Sequence, residues 1–341
     1  MNQANRGSYN IYLPEGQLLG LPRNREMTAS LAQLEKAMHT GAILEGLAVL
    51  CDSELNLHID FPSLPGAVAI IPAREAVYVA DHSPVKDIAI LTRVGKAVCF
   101  KVTDIRMEGD VPHITLSRRA AQAECMTHYL TTLIPGDIIP ARVTHMEPFG
   151  AFVDIGCGIS SLLTVDVISV SRISHPKDRL YNGQMINAVI RSIERQENGL
   201  PHRIFVSTRE LLGTWEENAA NFRPGQTVAG IIRSVEDYGV FVELAPNLAG
   251  LAEIKEDVCG GIDHKKALRA HIGGKATVYI KSLLPERMKV KLVLIDTYAD
   301  ERPSLPSLIY YLPKDGRSHI DRWIYSPEGA KKRIETDFGV L

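Results

Sequence analysis

Two aromatic pairs with the same spacing are the residues of this chain best suited to stacking chemistry. The first pair is Phe149 and Phe152, the second is Tyr238 and Phe241, and a glycine follows the first ring of each pair. Two exposed rings side by side can stack on nucleic-acid bases, at roughly 1 to 3 kcal/mol per base and with little sequence preference. Most phenylalanines in strand-rich sequence are core residues instead. Because the pattern occurs twice, core filling alone does not account for it, and we expect base stacking.

Both rings of a pair can share one face of a strand only if the glycine between them changes the alternation of side chains. Side chains alternate along a strand, so residues three apart point to opposite faces. Gly150, between Phe149 and Phe152, can adopt the positive φ of a β-bulge, which shifts the alternation by one residue. We therefore predict a bulge at Gly150 and both rings on the same face.

Basic side chains near the rings would follow the phosphates of a bound strand. Arg142 and Arg191 lie in strand-like runs around the first pair, and Arg233 lies in a run before the second. A single arginine is more often a solvated surface residue than a ligand. The three arginines are therefore secondary candidates for binding.

The aromatic pairs belong to an internal repeat with an offset of 89 residues, which carries Pro135 onto Pro224 and Phe152 onto Phe241. Within each copy, short runs rich in strand-forming residues alternate with Pro or Gly. These runs cover residues 138–145, 151–155, 184–193 and 203–207 in one copy, and 228–235, 240–244, 276–283 and 289–295 in the other. Short strands at this spacing predict an antiparallel sandwich or barrel of about 80 residues.

The two copies resemble a known family, the S1 RNA-binding motif. The family pattern is Pro-Gly, an apolar strand, aromatic-Gly-x-Phe-Val, Gly-Leu, and a closing strand that begins with a basic residue and ends in Ser. Residues 134–214 match this pattern except that Ser161 replaces the Gly of Gly-Leu. Residues 223–296 match it except that Val293 replaces the closing Ser. The resemblance implies two tandem five-stranded OB-fold barrels.

A third, diverged copy precedes these two at residues 41–122. Gly66 to Pro72, followed by Glu75, resembles a conserved segment of the same family, but the aromatic turn is replaced by the acidic stretch 51–57. The resemblance implies a third barrel without a stacking platform. We expect this barrel to contact protein or to pack against its neighbour.

The family resemblance also assigns residues beside the rings. It places Arg203 and Lys289 at the basic position next to the aromatic pairs. The position that is usually His is Thr164 in the middle copy, and Thr can still donate to a phosphate or 2′-hydroxyl. The same position is Glu253 in the last copy, where a carboxylate would repel phosphate. We therefore expect the middle copy to be the principal RNA contact.

The remaining segments complete an all-β chain of barrels joined by short helices. Helical connectors are expected at 118–133 and 208–222, and residues 1–40 form an extension with a helix at 28–40. Residues 297–341 read as a small C-terminal α/β appendage, with a strand near 319–325 and a helix that begins near Ser326. The aromatics of this tail, Tyr310, Tyr311, Trp323 and Tyr325, are expected to be structural.

Composition excludes several classes of protein. The 341 residues carry 38 basic and 40 acidic side chains, a net charge of −2, so the chain is no strongly basic nucleic-acid binder. The five cysteines include no C-x-x-C pair, which argues against disulfides and a zinc ribbon. No signal-type or membrane-spanning apolar run occurs, so we expect a cytoplasmic protein.

Signals for an enzyme, a metal or a cofactor are weak. Gly273-Gly274-Lys275-Ala276 departs from the phosphate-binding loop at two positions. Asp263, His264, His271 and Cys259 lack the regular spacing of a metal site. We expect no metal, no cofactor and no catalysis.

The sequence therefore predicts a non-catalytic single-stranded RNA binder that acts in translation, with mRNA and the small ribosomal subunit as partners. Two alternatives stay open at this point. One is a protein-docking adaptor of the ribosome or an RNA-processing complex, with little RNA affinity of its own. The other is an RNA hydrolase, which would need a carboxylate or histidine cluster that the sequence does not display.

Overall fold

Three closed five-stranded β-barrels follow one another along the chain. The computed structural model describes residues 11–79, 85–253, 269, 271–298, 308–313, 316 and 318–339. In each barrel the fifth strand lies between the fourth and the third, and it runs parallel to the third. This topology confirms the prediction of tandem five-stranded OB-fold barrels.

The first barrel is preceded by two helices, α1 (Pro22–Met27) and α2 (Leu31–Thr40). Ser30 caps α2 by accepting a hydrogen bond from the Gln33 N–H, and Gly41 ends the helix in the left-handed conformation. The barrel comprises β1 (Leu44–Cys51), β2 (Leu57–Asp60), β3 (Val68–Ile71), α3 (Asp87–Leu91), β4 (Ala97–Glu108) and β5 (Val111–Ser117). Leu34 and Ala37 of α2 are fully buried against the barrel core, so this helix closes one end of it.

The middle barrel follows a helical connector, α4 (Arg118–His128), which confirms the predicted helix there. Its strands are β6 (Ile138–Glu147), β7 (Gly150–Asp154), β8 (Ser160–Thr164), β9 (Met185–Arg195) and β10 (Pro201–Ser207). Sequence patterns predicted four of these strands but not β8, because Ser160, Ser161 and Thr164 leave only two apolar residues in it.

The last barrel follows α5 (Trp215–Ala219), a single helical turn capped by Thr214 and Glu217. Its strands are β11 (Thr227–Glu236), β12 (Gly239–Ala245), β13 (Leu248–Glu253), β14 (Lys275–Leu284) and β15 (Lys289–Tyr298). Here the third strand, β13, was missed, since its Gly and Ala residues have low strand propensity. Short 3-10 helices link many elements: Ala73–Glu75, Leu130–Thr132, Val165–Val167, Pro176–Asp178, Arg209–Leu211 and Pro285–Arg287.

The C-terminal tail forms a two-stranded sheet of β16 (Arg322–Ile324) and β17 (Glu335–Asp337) that packs on the barrels. Trp323 and Tyr325 are 7% and 5% exposed and join the core of the last barrel. The tail aromatics in this core are structural, as expected. The helix predicted near Ser326 is wrong, because residues 326–333 form turns stabilised by hydrogen bonds of the Ser326 hydroxyl.

Neighbouring barrels are in direct contact. Cys99 of the first barrel donates to the Cys157 carbonyl of the middle barrel, and both residues belong to one apolar cluster. Asn247 of the last barrel accepts from the Val170 N–H and donates to the carbonyls of Arg209 and Gly213. The barrels are therefore packed together, and the first one packs against its neighbour as expected. Within the described part of the chain, no helix is long and apolar enough to cross a membrane.

Candidate nucleic-acid interface

Each of the last two barrels presents a pair of adjacent rings on its outer surface. The ring centroids of Phe149 and Phe152 are 6.1 Å apart with an interplanar angle of 90°. Those of Tyr238 and Phe241 are also 6.1 Å apart, at 88°. Phe149 is 54% exposed and Tyr238 60%, whereas the second ring of each pair is half-buried. Each ring pair, which we call a platform, therefore has one exposed ring that contacts the edge or face of a half-buried ring at a nearly perpendicular angle.

The predicted bulge at Gly150 is wrong, although both rings do share one face. Gly150 has no positive φ, and Phe149 lies in the turn before β7, where strand alternation does not apply. The glycine is needed for another reason. A Cβ atom on Gly150 would lie 2.6 Å from the Leu163 carbonyl oxygen, because β8 passes directly over this position. A Cβ atom on Gly239 would likewise lie 2.6 Å from the Ala252 carbonyl oxygen.

A bulge does occur, but in the strand that pairs with β7. The register between β6 and β7 shifts between Val143 and His145, which leaves Thr144 as the extra residue. His145 thereby comes opposite Phe152, and the two rings lie nearly parallel with centroids 6.4 Å apart. His145 is exposed. It extends the platform by a third ring that sequence reasoning did not identify.

The platform continues across the barrel in a row of register partners. Phe152 pairs with Leu162 of β8, and Leu162 pairs with Phe205 of β10. Phe205 is half-buried on the outer face. Phe205 could have been predicted from the position of Arg203, because residues two apart in β10 share a face. The corresponding row in the last barrel is Phe241, Leu251 and Lys291, so a lysine there takes the place of the aromatic.

The Thr164 and Glu253 positions both flank the exposed ring. Thr164 is the register partner of Gly150, and Glu253 is the register partner of Gly239. Glu253 is exposed, and Thr164 is half-buried. The carboxylate of the last barrel thus stands where the middle barrel offers a hydroxyl.

Three of the predicted basic residues are exposed. Arg203 lies on β10 opposite Glu194, two residues before Phe205 on the same face. Lys289 starts β15 at the corresponding place in the last barrel. Arg191 is the extra residue of a bulge in β9. These side chains can reach phosphates along the edges of the platforms.

The structure holds the other two predicted arginines in contacts within the protein. Arg142 donates through Nη1 to the Glu15 carbonyl at 2.6 Å and through Nε to the Gly183 carbonyl at 3.4 Å. Arg233, the extra residue of the bulge in β11, is largely buried and forms an ion pair of 2.8 Å with Glu243. Arg233 is therefore committed to the protein interior, and Arg142 is only partly available.

The first barrel places His58 where the middle barrel has Phe152. His58 pairs with Ile70 and Ile70 pairs with Thr115, so no second or third aromatic continues the row. The His58 imidazole lies 3.1 Å from Asp52. Hydrogen bonds from the Asn56 N–H, and from the His58 and Asn56 side chains, lower the pKa of Asp52 to about 2. An anion therefore stands beside the only ring of this row.

The described residues contain no group of three or more His, Cys, Asp or Glu side chains placed to hold a metal. Of the weak metal candidates in the sequence, Cys259, Asp263 and His264 lie outside the described residues. His271 is described and half-buried.

Comparison with protein families identifies the middle barrel. Residues 132–205 match the family model described as S1 RNA binding domain. This match confirms the resemblance to the S1 motif that the sequence indicated. It covers the Phe149–Phe152 platform, Thr164, Arg191 and Arg203.

The most similar curated relatives include several ribosomal proteins. The chain is 30% identical over 232 residues to small ribosomal subunit protein bS1 of Rhizobium meliloti (strain 1021), which covers 67% of this chain and 38% of that protein. It is 29% identical over 243 residues to the bS1 homolog of Bacillus subtilis (strain 168), covering 69% and 56%. It is 31% identical over 248 residues to bS1 of Staphylococcus aureus (strain COL), covering 71% and 56%. The chain thus spans about 40 to 60% of the length of these relatives.

Among solved structures, a multidomain protein with nucleic acid binding domains from Streptococcus pneumoniae TIGR4 aligns with 75% of this chain and 73% of its own. The identity is 15% and the TM-score is 0.22.

Proposed function

We propose that this chain, whose middle barrel is an S1 RNA-binding domain, binds single-stranded RNA without catalysis. The observation that carries the proposal is the exposed ring pair of Phe149 and Phe152 in that barrel. Stacking on rings is tolerant of base identity, so the platform suits a strand of mixed sequence. A duplex would not fit this mode of binding, because its bases are already stacked and its edges face the grooves.

The proposed binding residues fall into two sets. The principal set lies on the middle barrel, and the second set is a weaker platform on the last barrel. They comprise Phe149, Phe152, Thr164, Arg191 and Arg203 in the first set, and Tyr238, Phe241 and Lys289 in the second. Arg142 borders the principal set through its unbonded nitrogen, and Arg233 acts through its ion pair with Glu243 rather than on RNA. We treat residues 41–122, 134–214 and 223–296 as the three domains that carry these surfaces.

The modest net charge of −2 is compatible with this proposal. Barrels in series raise the effective concentration of each weak site once another has bound the same strand. Close packing between the barrels keeps the two platforms at a fixed separation. Affinity then comes from several stacking contacts rather than from a strongly basic surface.

The names of the relatives support a role in translation. The three relatives described above are named small ribosomal subunit proteins or homologs of one. We propose mRNA as the RNA, the small ribosomal subunit as a partner and the cytoplasm as the site of action. A ribosome-sedimentation assay of the tagged full chain tests this part. Recovery of the chain only in ribosome-free fractions would contradict the ribosomal role while leaving RNA binding intact.

The RNA-binding proposal is tested by fluorescence anisotropy with a labelled single-stranded RNA at several salt concentrations. We expect binding that weakens with salt, with a slope of about −0.7 in log–log form for each phosphate contact. The labelled RNA should remain at full length during prolonged incubation. Absence of salt-dependent binding would contradict the proposal, and progressive shortening of the RNA would contradict its non-catalytic part.

A second candidate function, docking on a protein partner, is favoured by the outer face of the first barrel. Leu47, Val49 and Leu50 of β1 are 39%, 49% and 53% exposed, and this barrel lacks a ring platform. An adaptor that works through this face would show almost no salt-dependent RNA binding. The same anisotropy experiment therefore separates the two candidates.

A further inference from the structure

A cleft of about 850 Å³ separates the first barrel from the middle barrel. Arg93 and Lys96, which lie just before β4, line it on the side of the first barrel. Arg142 and His145 of β6 line it on the side of the middle barrel. We call this space the inter-barrel cleft. Its volume lies at the upper end of the range of small-molecule pockets, so it has room for an extended ligand.

The basic groups of the inter-barrel cleft are only partly used within the protein. Lys96 is exposed and forms no ion pair or side-chain hydrogen bond among the described residues. The Nε atom of Arg93 is buried without a hydrogen-bond partner in the described structure. Arg142 bonds only to carbonyl oxygens, and no described carboxylate pairs with it. All three basic side chains can therefore bind an anionic ligand.

The two carboxylates that border the cleft do not cancel this charge. The Glu15 carboxylate is held by Nε and Nη2 of Arg118, at 2.6 and 3.0 Å, and by the Cys99 N–H, at 3.1 Å. Its contact with Arg93 is longer, at 3.6 Å. Asp154 is buried and accepts backbone N–H groups of Glu15, Gly156 and Gly158. The charge that faces the cleft is consequently positive.

The positive charges also act on one another. Desolvation by the surrounding protein and the charge of Arg93 lower the pKa of Lys96; Glu15 opposes this shift, and Arg142 adds to it. A cation that is destabilised by its neighbours gains most when an anion binds between them. Phosphate is an anion that such a cluster would bind, through charge and hydrogen bonds together.

The inter-barrel cleft is continuous with the ring platform of the middle barrel. His145 lines the cleft and also stacks on Phe152, with ring centroids 6.4 Å apart. Thr144 lines the cleft as well, and its hydroxyl donates to the Phe152 carbonyl. The rings and the basic walls of the cleft therefore form one continuous surface.

We propose that an RNA strand held on the Phe149–Phe152 platform continues past His145 into the inter-barrel cleft, where Arg93, Lys96 and Arg142 bind its phosphates. This inference rests on the proposed function and adds a binding role for the first barrel. That barrel contributes charge at its boundary with the middle barrel, although its own outer face has no platform. The N-terminal segment takes part by placing the Glu15 carbonyl on Arg142.

The test compares a short and a long single-stranded RNA on the full chain. An RNA of about four nucleotides covers the platform alone, and one of about twelve also reaches the cleft, since a strand-binding barrel occupies roughly 4 to 16 nucleotides. The variant is Lys96→Gln, which removes an exposed charge without disturbing the core. Lys86→Gln is the matched control, because Lys86 is an exposed lysine of the same barrel that does not line the cleft.

We expect Lys96→Gln to weaken binding of the long RNA about five-fold at 0.1 M salt and to reduce its salt slope by about 0.7, as for one lost phosphate contact. Binding of the short RNA should be unchanged, and Lys86→Gln should match the unmodified chain for both RNAs. Equal effects of the two lysine variants on the long RNA would overturn the inference while leaving the proposed function in place. If neither RNA binds to the unmodified chain, the proposed function fails and the inference fails with it.

Discussion

The middle and last barrels carry the same ring pair in different surroundings. Both pairs have centroids 6.1 Å apart and nearly perpendicular planes. In the middle barrel the neighbours of the rings are a hydroxyl, Thr164, and a further aromatic, Phe205. In the last barrel the same places hold Glu253 and Lys291. The two ring pairs thus share one geometry, whereas the side chains around them differ in charge and polarity.

A second difference lies at the end of the strand that carries the rings. Asp154 and Glu243 occupy the same register position, and both are buried. Asp154 is covered by the N-terminal segment and has backbone N–H partners. Glu243 is covered by Arg179, which is fully buried, and by the bulge residue Arg233. One carboxylate anchors a segment of chain, and the other joins two barrels through charge.

In both barrels, the strand that carries the second ring of the pair serves two purposes: one end lies beside the accessible rings, and the other end packs against another part of the protein. At the start of β7 and of β12 the backbone is buried, but the first ring of each pair stays accessible, with Phe149 54% and Tyr238 60% exposed. The opposite end of the strand is covered in both barrels. The N-terminal segment covers Asp154 in the middle barrel, and ion pairs cover Glu243 in the last barrel. The rings can therefore stay accessible beside one end of a β-strand while another part of the protein, the N-terminal segment or a neighbouring barrel, packs against its other end.

The largest expected effect comes from removing the charge of Glu243. Glu243→Gln keeps the volume but leaves Arg179 and Arg233 without a counter-ion in a buried site. Loss of one partner from a buried ion pair costs about 3 to 5 kcal/mol. We expect a corresponding loss in the free energy of unfolding, measured by urea denaturation at neutral pH. Glu236→Gln, at an exposed position of the same barrel, should change it by less than about 0.5 kcal/mol. An equal effect of both variants would show that the pair does not join the barrels.

The next effect compares the two ring pairs directly. Phe149→Ala/Phe152→Ala should weaken binding of single-stranded RNA by about 2 to 4 kcal/mol, given roughly 1 to 3 kcal/mol per stacked base. Tyr238→Ala/Phe241→Ala should cost at most about 1 kcal/mol, because Glu253 already limits that platform. Anisotropy titrations measure both. Tyr279→Ala, an exposed tyrosine outside either row, is the control and should bind normally. A larger loss from the last barrel than from the middle one would reverse the assignment.

Much of this comparison could be predicted from the sequence, since the repeat and its aromatic pairs are local patterns. The constant offset of 89 residues placed Phe152 and Phe241 at equivalent positions, and the family resemblance supplied Arg203 and Lys289. The prediction of a platform depends on those residues alone. It survives even though the reason given for Gly150 was wrong.

The parts that the sequence did not provide depend on contacts between distant strands. The requirement for Gly150 comes from the Leu163 carbonyl of β8, a strand whose weak apolar pattern was missed. The role of Arg233 is decided by Glu243 on the neighbouring strand and by Arg179 from the middle barrel. His145 reaches Phe152 only because Thr144 is bulged out. Register shifts and contacts between barrels of this kind leave no periodic signal in one sequence.

A third prediction uses the opposite pKa shifts of the two buried carboxylates. Burial and the charge of Glu15 raise the pKa of Asp154 to about 7. For Glu243, Arg179 and Arg233 outweigh the effect of burial, so its pKa is lowered. Between its ordinary pKa and 7, folded Asp154 binds more protons than the unfolded chain, so its contribution to stability falls as pH rises. Folded Glu243 binds fewer protons than the unfolded chain just below its ordinary pKa, so its contribution rises with pH there.

Urea denaturation between pH 4 and 8 measures these two trends. Relative to Asp154→Asn, the unmodified chain should lose stability as pH rises from about 4 to 7, by at most about 1.4 kcal/mol per pH unit. Relative to Glu243→Gln, it should gain stability as pH rises through about 4.5. If the three backbone N–H donors around Asp154 lowered its pKa instead, the unmodified chain would gain stability relative to Asp154→Asn as pH rises, as it does relative to Glu243→Gln. That result would contradict the predicted opposite trends of the two carboxylates.

The smallest effect tests whether one side chain beside the rings accounts for the unequal platforms. Thr164→Glu places a carboxylate beside Phe149, and a charge about 4 Å from a phosphate costs about 1 kcal/mol in water. RNA affinity should fall about five-fold at low salt and less at high salt, because exposed charges are screened. The reverse change, Glu253→Thr, should raise affinity by a similar factor when made in a Phe149→Ala/Phe152→Ala background, where the last barrel alone provides stacking. Glu286→Thr removes an exposed carboxylate elsewhere on the last barrel and should have no such effect. If Glu253→Thr gave no gain while Thr164→Glu still weakened binding, Lys291 in place of Phe205 would become the cause of the difference between the two barrels.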